Sequence, residues 1–145
     1  QQAGSCRLSQ TLSPERKVIV QLTISALLII AGIIHLLPLS GVLSAARLTA
    51  LYTLEFRDPN LEILMRHRAV LFGLLGLFLI YAAIQPSIQP LAFIAGFVSA
   101  LSFMGLAWSV GGYNGAVRKV VVADIVAVTS LGIATVLYLI VHSQN

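Results

Sequence analysis

Charged residues are scarce in this chain: Asp, Glu, Lys and Arg make up 10% of its 145 positions, where soluble globular domains carry about a quarter. That is too few to cover a water-facing surface, so a soluble globular domain is excluded. Cysteine is nearly absent as well. Cys6 stands alone, which rules out an internal disulfide and a cysteine metal cluster and leaves the redox compartment open. Catalytic signatures are missing too. The sequence holds no paired Glu-x-x-His for a carboxylate-bridged di-iron centre, no His-Glu-x-x-His, no phosphate-binding glycine loop and no Gly-x-Ser-x-Gly. No catalytic residue, metal site or cofactor is expected from motifs of this kind.

What the chain has in quantity is apolar surface. It is 58% hydrophobic with a mean hydropathy of +0.94, which places it in lipid. A net charge of +4 and a pI near 9.7 raise nucleic acid as a partner. The basic residues sit at the ends of apolar runs and form no continuous basic face, so they read as membrane anchors and no nucleic acid is expected.

Residues 1–13 form a polar tail. The chain opens with Gln1 in place of Met, and positions 1–17 carry Arg7, Arg16, Lys17 and three serines against one acid, Glu15. This composition matches the remnant of an organellar presequence. Ala3-Gly4-Ser5-Cys6 has a loose likeness to a lipid-attachment box, but no apolar stretch precedes it and lipidation is not expected. An ordered tail of this polarity would have to be held by a partner.

Four spans and one short helix follow, over residues 14–145. Ser13-Pro14-Glu15 supplies cap, proline and acid, so a first helix covers 14–37 until Pro38 ends it. The segment 39–56 is too interrupted to cross; Arg47, Tyr52 and Glu55 suit the headgroup region, and the expectation is an interfacial helix. Asp58-Pro59 repeats the start signal, the Asp side chain accepting an orphan amide proton. From there a helix over 59–85 runs roughly 40 Å at 1.5 Å per residue, enough to cross a bilayer. Gln85-Pro86-Ser87-Ile88-Gln89-Pro90 is a short turn that makes the second and third spans antiparallel neighbours. The third covers 90–110, Gly111-Gly112 stops it, Tyr113-Asn114-Gly115 turns, and the fourth covers 116–142. Gly73 and Gly76, then Gly96, Ala100, Ser102 and Gly105 are expected to pack against neighbouring helices, and the fourth span continues through Ala123, Ala127 and Gly132. The fold class is all-α: a four-transmembrane-helix bundle with an interfacial helix between spans one and two.

This topology sends the unusual side chains to one end. His35, Glu62, Arg66, His67, Arg68, Trp108, Tyr113, Asn114, Arg118, Lys119 and Asp124 all fall where the first span finishes. Asp124, about two turns inside an apolar run, is the sharpest of them. A carboxylate at that depth costs roughly 2.5–3.5 kcal/mol on insertion scales unless it is partnered. The favoured expectation is an ion pair to Arg66, Arg68 or Arg118 that fixes the second span against the fourth; the alternative is a substrate or proton site. Glu62 and Arg66, four apart with the acid first, form a favourable helical pair. Arg66-His67-Arg68 points around more than half the helix, so at least one cation faces the bundle. His35, Glu62, His67 and Asp124 are expected to form a buried polar cluster, and Arg66, Arg68, Arg118 and Lys119 to contact lipid phosphates or partner loops. His35 and His67 raise a bis-histidine haem or metal site, for which the sequence provides no supporting carboxylate spacing.

Over Asp58-Pro59-Asn60-Leu61-Glu62-Ile63-Leu64-Met65-Arg66-His67-Arg68-Ala69-Val70-Leu71-Phe72-Gly73-Leu74-Leu75-Gly76 the chain resembles small four-helix bacterial membrane proteins of unknown function, a likeness that extends from about Val18 to the C-terminus. Some proteins of that kind carry the label phosphopantetheine adenylyltransferase. The His-x-Gly-His nucleotide motif of those soluble enzymes is absent here, so the label is rejected. The resemblance implies a compact four-helix membrane unit and no activity.

The leading functional expectation is a non-catalytic accessory or structural subunit of a larger membrane complex, with membrane lipids and other membrane-protein subunits as partners. Against it stands a membrane-embedded binding protein or enzyme for a lipid or quinone, with Asp124 handling protons and Arg66 or Arg68 gripping the head. A transporter comes third, because four spans leave little room for a pathway. A bacterial or mitochondrial inner membrane is expected. Six of the nine Lys and Arg, namely Arg47, Arg57, Arg66, Arg68, Arg118 and Lys119, lie at the polar end, which the positive-inside rule places in the cytoplasm or matrix.

Overall fold

The structure is a computed structural model that describes residues 13–52 and 58–143. The polar tail with its proposed partner, together with Glu55 of the interfacial segment, lies outside the described residues. Five helices follow in order: α1 Pro14–Leu36, α2 Ala45–Tyr52, α3 Pro59–Ile84, α4 Gln89–Val110 and α5 Gly115–His142. Four of them are long and apolar enough to cross a bilayer, and the protein is an integral membrane protein of four spans. The short α2 lies between the first two spans.

Proline and small polar residues set the boundaries. Pro14 opens α1, although the Ser13 side chain makes no capping bond. Asp58 Oδ1 accepts from the Asn60 amide at 2.9 Å at the start of α3, and Asn114 Oδ1 accepts from the Val117 amide at 3.0 Å at the start of α5. Gly111 and Gly112 both take positive φ, 65° and 64°, which ends α4 in a conformation that side-chain-bearing residues avoid. Pro38 ends α1 differently from expectation. The chain tightens into a 3-10 helix, Leu37–Val42, because a proline near the start of such a turn has no amide proton to lose.

α1 packs between α3 and α5, and α4 closes the ring on the other side, so α3 and α5 stand diagonally across the bundle. Neighbours are antiparallel: along α1, His35, Gly32 and Ser25 meet Phe72, Gly76 and Ala83 in turn. The α1–α3 crossing is close because glycine faces glycine. A methyl on Gly32 would stand 2.8 Å from the Gly76 carbonyl oxygen, and one on Gly76 2.7 Å from that of Gly32. The core is built from Ile24, Leu28, Ala31, Leu79, Ala82, Phe93, Ala127, Leu131 and Ala134, running from the middle of the bundle toward the end where α1 begins. There the last turn of α3 is completed by side chains: Gln89 Nε2 donates to the Ala82 carbonyl at 3.2 Å and Ser25 Oγ to that of Ala83 at 2.6 Å. Gly76, Gly96 and Ala100 pack as expected. Ser102 is exposed, and Gly105 and Gly132 have no neighbour within 4 Å of where a side chain would begin. Those three face outward: a small residue is equally at home against lipid when no partner helix covers it.

Candidate functional site

At the other end the bundle is not filled. A cavity of about 210 Å³ lies between α1, α2, α3 and α5. His35, in the last turn of α1, contributes an imidazole only 1% exposed. Its Nδ1 stands 2.8 Å from the Ala31 carbonyl oxygen, and its ring stacks on Phe72 with centroids 5.9 Å apart. Because a carbonyl oxygen only accepts, Nδ1 must carry the proton. Nε2, on the opposite edge of the ring, is buried and has no partner.

Asp124 contributes the second orphan. It is 4% exposed, and its Oδ2 is buried without a hydrogen-bond partner. The expected ion pair does not form: no cation reaches Asp124 among the described residues. Each candidate is placed elsewhere for a physical reason. Arg66 is engaged by Glu62 at 3.2 Å and by the Val42 carbonyl at 2.8 Å. Arg118 is exposed; six residues from Asp124 on a helix of 3.6 residues per turn, it emerges on a different face. Arg68 does face the cavity, but it sits on α3, diagonal to α5. Its guanidinium carbon is 5.0 Å from the ring centroids of Phe72 and Phe103 and 5.8 Å from that of Tyr52. Such contacts stabilise by about 0.5–2 kcal/mol each, more as water is excluded. No described residue accepts a hydrogen bond from this guanidinium.

α2 closes the cavity from the side. Leu48 is fully buried and Tyr52 is 6% exposed, so the two residues, one turn apart, turn inward, while Arg47 is exposed as expected of a headgroup residue. Asn114 Nδ2 donates to the Tyr52 carbonyl at 2.7 Å, tying the end of α2 to the start of α5. Tyr52 therefore lines the cavity instead of reaching into the headgroup layer. The 3-10 turn after α1 is held in the same manner by Arg66.

The expected buried cluster is thus divided. His35 and Asp124 are buried and line the cavity; Glu62 is half-buried and His67 is exposed. Successive helical residues point about 100° apart, so once Arg68 turns inward His67 turns out, and a pairing of His67 with His35 is excluded. Lys119 is exposed at the cavity rim, and Trp108, 88% exposed, lies on the outer face where aromatic belts form. The sequence points Tyr52 to the headgroup region instead of a cavity and does not single out Phe72 or Phe103. The spacing of Leu48 and Tyr52 on one face of α2 was the available signal for the first; nothing distinguishes the two phenylalanines from other apolar residues. Among the described residues no group of three or more His, Cys, Asp or Glu could hold a metal ion. Comparison with protein-family models, curated proteins and solved structures finds no match for this chain.

Proposed function

We propose that this integral membrane protein binds the polar head of a membrane amphiphile, a lipid or a quinone, in the cavity between α1, α2, α3 and α5. One observation carries the reading: His35 Nε2 and Asp124 Oδ2 are both buried without partners at a single apolar cavity. A buried polar atom left unpaired costs about 1–3 kcal/mol, and here two such atoms are held together with Arg68, whose guanidinium has no hydrogen-bond acceptor among the described residues. Groups kept in that condition are available to a ligand that satisfies them. The apolar lining, including Ile34, Leu37 and Val120, suits the first part of a hydrophobic tail. Residence in a bacterial or mitochondrial inner membrane, polar end inward, fits the distribution of basic residues.

Filling the cavity tests this. Ala123 lines it, and Ala123→Phe should remove a co-purifying amphiphile that native mass spectrometry detects on the wild-type protein. An identical bound-lipid profile in the two proteins would sink the reading. An accessory subunit of a larger membrane complex is the second reading, supported by the outer surface of α4, where Leu106, Trp108 and Val110 stand clear of the bundle. Comigration with larger partners in mild detergent supports it; a stable monomer that retains ligand counts against it.

A further inference from the structure

We infer that the head group taken by this cavity is a neutral hydrogen-bond donor of the hydroquinone class, a ring carrying hydroxyls, in preference to the oxidised quinone or a fatty acid. The inference rests on the amphiphile-binding reading and adds the polarity of the head. The bond from His35 Nδ1 to the Ala31 carbonyl leaves the lone pair of the neutral ring on Nε2, which is therefore an acceptor. When the Asp124 carboxyl is ionised, its Oδ2 is an acceptor as well. Both atoms are buried and unpartnered, and both residues line the same cavity. Two acceptors ask for donors, and a quinone carbonyl or a carboxylate head offers none.

Charge points the same way. Of the charged side chains that line the cavity, Lys119 is exposed at the rim, and the interior two, Arg68 and Asp124, together bring no net charge. A neutral head preserves that balance, whereas an anionic head would add an uncompensated charge in a weakly screened place. Shape is consistent. A dry cavity of about 150 Å³ accommodates benzene, so one of about 210 Å³ has room for a substituted six-membered ring. Phe72, already stacked on His35, and Tyr52 offer flat apolar surfaces to it.

The experiment uses one skeleton in two oxidation states. The full-length protein in detergent is titrated anaerobically with decylubiquinol, decylubiquinone and laurate, and affinities are read by calorimetry. Decylubiquinol should bind at least tenfold tighter than the quinone, and laurate more weakly than either. His35→Phe, which keeps the ring against Phe72, should weaken the quinol at least tenfold and leave the quinone nearly unchanged. Asp124→Asn, nearly isosteric, provides a second variant should the first not fold, and should narrow the preference in the same direction. Equal affinity for the two oxidation states, tighter binding of the quinone or of laurate, or no binding of decylubiquinol overturns the inference. If Ala123→Phe still empties the cavity of a co-purified amphiphile in those cases, only the donor preference is lost. If it empties nothing, the binding reading itself fails.

Discussion

The two halves of the bundle are made from the same four spans and are packed in different ways. In the half where α1 begins, leucine, alanine and glycine interlock, and the buried Gln89 and half-buried Ser25 each bond a backbone carbonyl at the end of α3, although Gln89 Oε1 and Gln21 Nε2 find no partner among the described residues. In the half where α1 ends, the buried residues of α4 stop at Ala100, α2 takes over as the fourth wall, and a cavity remains. The charges concentrate there. Without water there is no hydrophobic gain from pressing helices together in a bilayer, so the filled half must be held by contact and hydrogen bonds. The open half tolerates a cavity lined by charged and polar groups because the filled half supplies the stability.

If that division is right, the largest effects should come from the filled half and from the glycine crossing that bounds it. Gly76→Leu places a branched side chain where the first added carbon already meets the Gly32 carbonyl at 2.7 Å. Since backbone cannot yield there, α1 and α3 must separate, at a cost of about 3 kcal/mol or outright failure to assemble. Unfolding in mixed micelles of rising denaturing-detergent fraction measures it, and a stability equal to wild type would show the crossing to be looser than described. Leu131→Ala comes next. Leu131 is fully buried and fills the space over Gly96. In lipid the transfer part of the usual penalty largely vanishes and the lost packing remains, giving about 2 kcal/mol of destabilisation in the same assay.

The open half should respond with the opposite sign. Asp124→Asn removes a buried charge that has no ion-pair partner within contact among the described residues, so the ligand-free protein should become more stable by about 1–2 kcal/mol while losing affinity for its amphiphile. Had Asp124 been locked in an ion pair, the same substitution would strand a cation and destabilise by roughly 3–5 kcal/mol. The direction of the shift therefore separates a site from a strut.

The sequence made some of this legible and hid the rest for physical reasons. Span number and limits were readable because Pro14, Asp58-Pro59, Gly111-Gly112 and Asn114 act locally on the backbone. His35 and Asp124 were visible because each interrupts an apolar run. The inward face of each helix was not readable: bundle interior and lipid both select apolar side chains, so α3 and α5 carry no contrast between faces. That is why the choice among Arg66, His67 and Arg68 stayed open, why Phe72 and Phe103 passed unremarked, and why Tyr52 was assigned to the headgroup layer. It also misled the reading of Gly105 as a packing residue.

Gly132 offers the smallest and most discriminating comparison. It lies on α5 immediately beside Leu131, yet a methyl group added to it would meet nothing within 4 Å. In such a position alanine relieves the backbone entropy that glycine gives up on forming a helix, so Gly132→Ala should leave stability unchanged or raise it by about 0.5–1 kcal/mol. Gly76→Ala, the same chemical change on a buried face, should lower stability, because its methyl collides with α1. The pair holds the substitution fixed and varies only the face. Equal losses at both positions would mean that a partner helix covers Gly132 in the membrane, and the outer surface of α5 would then be an interface instead of a lipid-facing wall.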